Sequence, residues 1–225
     1  MKFAGMVKNS TVDYPGKIAL VLFTAGCNFR CSYCQNYELM YVGKNECSID
    51  ENDIFKLLDK RKGLIDAVCI TGGEPSLYYR EIIDFFSKLK ERYQNSYLLK
   101  IDTNGSNYEF LNKIYDEVDF IAMDYKGYSY SSFSSIEKEE ILKSLKIVKQ
   151  AKDYEIRITM YPEYIKESEF GNIIKDLKGV KKVAIQQYKN KKVFEDKGIE
   201  PYSNEVLEKF KIMFEQEGIL VEIRK

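Results

Sequence analysis

The feature that most restricts the fold of this chain is a regular alternation of strand-like and helix-like segments along its 225 residues. Short runs rich in branched and aromatic residues are each followed by a longer segment whose apolar residues recur every three or four positions. The strand-like runs are 18–24, 66–71, 97–102, 120–124, 155–161 and 182–188. The helical segments are 50–61, 79–93, 108–117, 137–152, 165–177 and 204–215, and one more strand is predicted over 219–223.

This alternation predicts an α/β protein, because strands joined through helices pair in parallel by right-handed crossovers. A closed barrel of eight such units needs about 250 residues, so the shorter series here predicts a partial (β/α)6 TIM-like barrel. An open doubly wound sheet is the alternative. Tyr14-Pro15-Gly16-Lys17 suits a type II turn and predicts an N-terminal hairpin. We expect a single domain over 1–225, with functional residues at the carboxyl ends of the strands.

The composition excludes several kinds of chemistry. The chain has no histidine, which rules out imidazole-dependent zinc sites and Ser-His-Asp or Cys-His catalysis. Its 35 basic and 35 acidic residues balance, and without a block of like charge we expect no nucleic-acid partner. No apolar run is long enough to span a membrane and no signal peptide is evident, so we expect no membrane association and a cytoplasmic protein. Five cysteines in such a chain indicate metal or redox chemistry before disulfides.

Three cysteines lie close together after the first strand-like run. Cys27, Cys31 and Cys34 have the spacing C-x3-C-x2-C, so one loop can present three thiolates to one metal centre. Iron–sulfur clusters normally take four cysteines, and three would leave one iron open to a substrate. On spacing alone, zinc or a closed electron-transfer cluster with Cys47 as fourth ligand stays open. Cys69 lies inside an apolar strand and is expected to be a buried apolar residue.

Polar motifs end the next two strands. Thr71-Gly72-Gly73-Glu74-Pro75 follows the second strand, where the glycines would let the backbone approach a ligand and Glu74 could bind an ammonium group. The same glycines are equally typical of a plain turn. Asp102 and Thr103 end the third strand in the segment KIDTNG, which also reads as a turn.

Charged residues continue the pattern in the following strands. Asp124 and Lys126 lie on one face of the fourth strand by period-two alternation, where they could form a structural ion pair or part of a site. Arg157 lies in the fifth strand and needs an acidic partner if buried, either a protein carboxylate or a bound one. Gln186 and Gln187 end the sixth strand, and one of them should point inward.

The loop from Cys27 to Cys34, with Tyr33 as its aromatic residue, resembles the C-x3-C-x-aromatic-C loop of the radical SAM superfamily. The resemblance implies a [4Fe–4S] cluster on the three cysteines, with S-adenosylmethionine (SAM) at the fourth iron and Tyr33 beside its adenine. It implies binding of the methionine amino group by the Gly72-Gly73-Glu74 motif. It also implies a monovalent cation held beside SAM by Asp102, Thr103 and Asp124, with Lys126 nearby. We place Arg157 and Gln187 among the expected cofactor contacts, for the SAM carboxylate and for adenosine or substrate.

Longer segments narrow the resemblance. STVDYPGKIALVLFTAGCNFRCSYCQN, TGGEP, KIDTNG, FIAMDYK, IRITMYP and AIQQYKN occur in the order found in glycyl-radical-enzyme activating proteins. The DYPG turn and the IQQY strand are most similar to activators of anaerobic ribonucleoside-triphosphate reductase. Gln35 departs from the pattern, since those proteins usually carry histidine there. The resemblance implies reductive cleavage of SAM and formation of a glycyl radical on a partner enzyme, with an electron from flavodoxin or ferredoxin.

Two other functions remain as alternatives. One is a radical SAM enzyme acting on a small molecule or peptide, such as a deazaguanine-type synthase or a peptide maturase. The other is a non-catalytic electron-transfer or zinc-binding module. The first differs from an activating protein in its acceptor, and the second in its inability to cleave SAM.

Overall fold

The computed structural model describes the backbone of residues 1–225 and all side chains except that of Lys44. Its strands are β1 Lys2–Phe3, β2 Gly5–Ser10, β3 Ala19–Thr24, β4 Ile49–Asp50, β5 Ala67–Gly72, β6 Leu98–Thr103, β7 Phe120–Asp124, β8 Tyr154–Thr159, β9 Lys182–Gln186 and β10 Leu220–Arg224. Its α-helices are α1 Glu51–Lys60, α2 Tyr79–Tyr93, α3 Tyr108–Ile114, α4 Lys138–Val148, α5 Phe170–Asp176 and α6 Asn204–Gln216.

Within the described residues, the main sheet has the strand order β10-β9-β8-β7-β6-β5-β3-β2. Its neighbours are parallel except that β2 pairs antiparallel with β3. Because strand order follows chain order from β3 to β10, the chain winds in one direction as in a barrel, and the doubly wound alternative is wrong. The predicted partial barrel is confirmed. So is the N-terminal hairpin, whose Gly16 has the positive φ of 67° that a type II turn requires.

Two apolar cores lie on the two faces of this sheet. Side chains on the outer face, such as Leu20, Val68 and Ile70, are fully buried against the helices. The inner face carries a smaller core, which consists of Tyr14, Ala19, Val21, Ala67, Cys69, Phe120 and Ala122. Tyr14 comes from the hairpin turn and packs on Phe120 with 5.7 Å between ring centroids. The turn therefore closes the amino end of the barrel.

Strands β8 and β9 end earlier than predicted. β8 ends at Thr159 and β9 at Gln186, although strands to 161 and 188 were expected. Beyond these ends, Met160 N donates to Gln186 O at 2.9 Å and Gln187 N donates to Arg224 O at 2.8 Å. The residues that follow form the rim at the carboxyl end. In the described part of the chain, no helix combines the length and apolar character needed to cross a membrane.

Candidate active site

A cavity of about 500 Å³ opens at the carboxyl end of the barrel. It lies where parallel strands of such a barrel end and where function is expected. All of the predicted site residues line it: Cys27, Cys31, Tyr33, Cys34, Gly72, Gly73, Glu74, Asp102, Thr103, Asp124, Lys126, Arg157 and Gln187. The structure thus brings together residues that are up to 160 positions apart in the sequence.

The cavity also has lining residues that the sequence prediction left out. They include Asp13, Asn36, Asn104, Thr159, Gln186 and Lys189. Period-two counting from Arg157 places Thr159 on the inner face, and Gln186 pairs with Thr159 in register across β8 and β9. The alternation within β8 was visible in the sequence, whereas the register between the two strands was not. Asp13, Asn36 and Lys189 lie in loops, and no local pattern marks their position.

The cysteine loop is anchored by one large apolar side chain. Phe29 is 1% exposed and packs edge-on against Tyr130 and Phe133, with ring centroids 5.9 and 5.6 Å apart. Arg30 N donates to Phe133 O at 2.8 Å, and Cys34 N donates to Cys31 O at 3.0 Å. Burial of Phe29 therefore fixes the middle of the loop against Tyr130 and Phe133, while the flanking thiols face the cavity.

The three thiols share one electrostatic environment. All are free of disulfides. Burial raises the pKa of Cys31 to about 12 and also raises the pKa values of Cys27 and Cys34, while the charge of Lys126 opposes the rise at each. The isolated thiols therefore stay protonated at neutral pH, and a metal centre that binds them must displace these protons.

The arrangement of donors suits an iron–sulfur cluster better than a zinc ion. Among the described residues, no three cysteine or carboxylate side chains converge on a point where a single metal ion would sit. Cys47 is 4% exposed, donates to Gly43 O at 3.7 Å, and does not line the cavity. A structural zinc site needs four ligands, and the described residues offer three cysteines at the cavity. An iron–sulfur cluster held by three cysteines would keep one iron for a further ligand.

Gly72 and Gly73 are required by the packing of two loops. Gly72 has φ of 116° and a Cβ there would lie 2.5 Å from Thr24 N, while a Cβ on Gly73 would overlap the carbonyl oxygen of Gly26. Two backbone bonds join the same segments, from Gly73 N to Thr24 O at 3.0 Å and from Glu74 N to Gly26 O at 2.8 Å. The close backbone approach expected from these glycines is therefore made to the start of the cysteine loop.

Glu74 is a buried crosslink between strand ends. It is 1% exposed. Its Oε1 accepts from Ser76 N at 3.0 Å and from the Thr103 hydroxyl at 2.8 Å, and its Oε2 accepts from Asn104 N at 2.7 Å. Burial raises the pKa of Glu74, and these three hydrogen bonds oppose the rise because they favour the ionised carboxylate. The carboxylate ties β5 to β6 and still faces the cavity.

A line of alternating charges crosses the cavity floor. Lys100 Nζ lies 2.8 Å from Asp102 Oδ1, and Arg157 Nη1 lies 3.0 Å from Asp102 Oδ2. Arg157 Nε then donates to Asp124 Oδ1 at 2.6 Å, and Lys126 Nζ to Asp124 Oδ2 at 3.1 Å. Three cations and two carboxylates leave one positive charge in excess. Lys100 does not line the cavity, whereas Asp13 and Glu74 do, so the cavity as a whole has no excess of positive charge. Arg157 and Lys126 are the cations of this line that face the cavity.

These pairs set the ionisation of both carboxylates. Burial alone would raise the pKa of Asp102, but the charges of Arg157 and Lys100 lower it to about 2. Burial also opposes ionisation of Asp124, and Arg157 and Lys126 lower its pKa in the same way. Arg157 is thus paired with protein carboxylates. The sequence analysis had left open either a protein carboxylate or the carboxylate of a bound molecule.

Lys126 also joins this floor to the cysteine loop. Its Nζ lies 5.7 Å from the ring centroid of Tyr33, which is within reach of a cation–π contact. Tyr33 packs in turn on Tyr161 and Tyr164, with centroids 5.3 and 5.6 Å away. The Tyr164 hydroxyl accepts from Ser32 N at 3.1 Å. One ammonium group therefore faces both the thiols and an aromatic wall of the cavity.

Comparison with known proteins agrees with this geometry. A family model described as the radical SAM superfamily matches residues 21–177. The chain is 32% identical over 206 residues to a Methanocaldococcus jannaschii protein named as a glycyl-radical enzyme activating enzyme, covering 86% of this chain and 82% of that one. It is 29% identical over 192 residues to the pyruvate formate-lyase-activating enzyme of Clostridium pasteurianum, covering 79% and 77%.

A solved structure shows the same fold. It is the crystal structure of a domain of pyruvate-formate lyase-activating enzyme from Bacteroides vulgatus, with a TM-score of 0.58 and 18% identity over 71% of this chain and 99% of that one. The segment matched by the family model holds the cysteine loop, the Gly72-Gly73-Glu74 turn and the charged floor of the cavity. This chain therefore belongs to the radical SAM superfamily.

Proposed function

We propose that this protein is a radical SAM enzyme that binds a [4Fe–4S] cluster through Cys27, Cys31 and Cys34 and generates a glycyl radical on a partner enzyme. The observation that carries the proposal is the set of three thiols facing one cavity, with no fourth cysteine beside them among the described residues. Three ligands leave one iron for a substrate. A bound cluster of this kind would supply one electron to SAM. The carbon–sulfur bond to the adenosyl group would then break, giving methionine and a 5′-deoxyadenosyl radical.

The residues of the cavity would divide the binding of SAM among them. Arg157 and Lys126 line the cavity, and either cation suits its carboxylate. Glu74 has hydrogen-bond capacity left on Oε2, which accepts one bond in the structure, and it suits the amino group together with Gly72 and Gly73. Tyr33 offers an aromatic edge for adenine.

Three finer assignments belong to the same proposal. Gln187 lines the cavity and could reach adenosine or substrate, and Thr103 lines it beside Asp102. A monovalent cation near Asp102 and Asp124 would have to share these carboxylates with Lys100 and Arg157. We also propose that residues 1–225 act as one radical SAM domain.

The proposed acceptor is a glycine residue of a large partner. Its Cα hydrogen atom would pass to the deoxyadenosyl carbon, leaving 5′-deoxyadenosine and a glycyl radical. Both curated relatives described above are named as activating enzymes. The likeness of the DYPG turn and the IQQY strand to activators of anaerobic ribonucleoside-triphosphate reductase favours that enzyme as the partner. The resemblance to activating proteins also implies flavodoxin or ferredoxin as the electron donor.

Anaerobic reconstitution tests the proposal. The protein is loaded with iron and sulfide, its iron and zinc contents are measured, and 5′-deoxyadenosine is quantified after reduction with SAM present. We expect about four irons per chain and release of 5′-deoxyadenosine that Cys31→Ala abolishes and Cys47→Ala preserves. Zinc as the only metal bound, or unchanged release from Cys31→Ala, would contradict the cluster assignment.

The acceptor needs a separate measurement. The reconstituted protein is mixed with an anaerobic ribonucleotide reductase, SAM and a reductant, and the mixture is followed by electron paramagnetic resonance. A glycyl doublet is the expected result. Release of 5′-deoxyadenosine without a doublet, but with a small molecule or peptide consumed, would favour the alternative radical SAM function.

A further inference from the structure

The outer side of the cysteine loop carries a basic and aromatic surface that the cavity chemistry does not use. We define the loop face as Arg30, Tyr41, Lys191, Lys192 and Phe194. Tyr41 is 64% exposed. The Arg30 guanidinium carbon lies 5.9 Å from its ring centroid, and the Phe194 centroid lies 6.2 Å away. Segments distant in the chain therefore form one continuous surface.

This loop face lies directly against the backbone of the cysteine residues. Arg30 Nη1 donates to Cys27 O at 2.5 Å. Phe194 N donates to Cys34 O at 2.9 Å, and Gln35 Nε2 to Lys191 O at 3.5 Å. One layer of protein separates the surface from two of the three thiol-bearing residues.

The charge of the loop face is positive. Within the described residues, Arg30 and Lys191 have no acidic partner, and Lys192 Nζ lies 3.7 Å from Glu38 with both side chains about 70% exposed. An exposed pair of this kind is worth little, so Lys192 stays available. In the segment 189–197, four lysines stand against two acids, Glu195 and Asp196, and Glu195 lies 3.6 Å from Lys197 Nζ.

We propose that the loop face is the docking site of a small electron-carrier protein with an acidic surface. The inference rests on the proposed function, because reductive cleavage needs an electron from outside the protein. Electron transfer slows steeply with distance, so a donor must dock close to the cysteines. The cavity mouth would be taken by SAM and the radical acceptor, which leaves the loop face as the free approach. Exposed tyrosine and arginine are typical anchors of protein interfaces, and the lysines supply steering of an acidic partner.

Stopped-flow reduction of the reconstituted protein tests this proposal. Reduced flavodoxin is the acidic donor, and the methyl viologen radical cation is a small positive donor. The variant Lys191→Glu/Lys192→Glu is compared with Lys175→Glu/Lys178→Glu, two exposed lysines at the other end of the barrel. At low salt we expect the first variant to lose about tenfold or more in the rate with flavodoxin, while its rate with methyl viologen stays equal or rises. The control variant should match the wild-type protein with both donors.

Other results would overturn the docking site. Equal flavodoxin rates for the two variants would do so. So would loss of affinity for the ribonucleotide reductase with flavodoxin reduction unchanged, because the face would then belong to the radical acceptor. If the first variant assembles its cluster poorly, the salt dependence of the wild-type protein tests the docking site instead. Its rate of reduction by flavodoxin must then fall steeply between low and high salt. Failure of the proposed function would show earlier and separately, as a wild-type protein without iron–sulfur absorbance.

Discussion

The two ends of the barrel interior differ in chemistry although the same strands build both. At the amino end, the inward positions carry small or apolar residues, and Tyr14 closes the space against Phe120. Four positions further along the same strand, Phe120 gives way to Asp124, which belongs to the charged floor. The amino end resembles an ordinary protein core. The carboxyl end keeps buried charges that stabilise little by themselves, and their presence there is explained by the cavity above them.

The comparison predicts that damage at the apolar end costs stability alone. Phe120 is 4% exposed, and Phe120→Ala should lower the free energy of unfolding by about 3–5 kcal/mol. Phe120 does not line the cavity, and its one contact with the charged line is the Lys100 ammonium group, 5.7 Å from its ring centroid. Urea denaturation measures the loss, and the iron content after reconstitution should equal that of the wild-type protein. If the variant bound less iron than the wild-type protein at a temperature where it is still folded, the two ends of the barrel would be coupled.

Damage at the charged end should cost both stability and binding. Arg157→Met leaves Asp102 and Asp124 each with one lysine, and we expect a loss of about 3 kcal/mol in unfolding free energy. SAM affinity should fall at least about tenfold, because a charged contact is worth that much. Calorimetric titration with SAM measures the affinity.

The matched control removes a buried ion pair outside the cavity. Arg224 makes a two-bond contact with Glu155, at 2.9 and 2.7 Å, and Glu155 is 2% exposed. Arg224→Met should lower stability similarly and leave SAM affinity unchanged. Equal losses of SAM affinity in both variants would contradict a specific role for Arg157.

The charged end should also respond to acid. The folded-state pKa of Asp102 is about 2, below the ordinary value of about 3.9. The stability that its ionisation contributes is therefore complete above pH 4 and is lost as the pH falls towards 2. We expect about 2 kcal/mol. Denaturation of wild-type protein and Asp102→Asn from pH 5 to pH 2.5 should show the wild-type curve falling towards that of the variant. A constant separation of the two curves would show that Asp102 is not held ionised.

The smallest effect is expected at a cysteine of the apolar end. Cys69 is 1% exposed and its thiol donates to Asp13 O at 3.6 Å. Burial raises the pKa of its thiol, so it stays a thiol and acts as a small apolar side chain. Cys69→Ala should cost about 1 kcal/mol in unfolding free energy and leave the reconstituted iron content unchanged. Cys31 is 5% exposed, so Cys31→Ala should cost a similar amount of stability but should also lose the iron.

Strand and helix positions were largely predictable from local patterns. The structure has β7 at Phe120–Asp124 and α2 at Tyr79–Tyr93, the same bounds as the prediction. The prediction failed at some ends, since α5 begins at Phe170 and not at 165, and it lacked the two-residue strands β1 and β4, which pair with each other. Apolar periodicity identifies the body of an element well, while its ends depend on neighbours that are not local in sequence.

The grouping of the site residues was predictable as well, but their contacts were not. Parallel strands end at one edge, so motifs at successive strand ends were expected to meet, and they line one cavity. Glu74 was expected to face a ligand, and the structure shows it also bonded to Ser76, Thr103 and Asn104. Gly73 was expected to approach a ligand, and the structure places it against Gly26.

The sequence by itself determined the order of the elements, the C-x3-C-x2-C loop and the set of residues at the strand ends, because each depends on spacing along a covalent chain. Only the tertiary structure decided that Arg157 bridges Asp102 and Asp124, that Cys47 lies apart from the other thiols, and that Lys191 and Phe194 pack behind the cysteine loop. Those choices follow from strand register and loop packing. Both depend on contacts between residues far apart in the chain, and a buried charge takes whichever opposite charge the register places beside it.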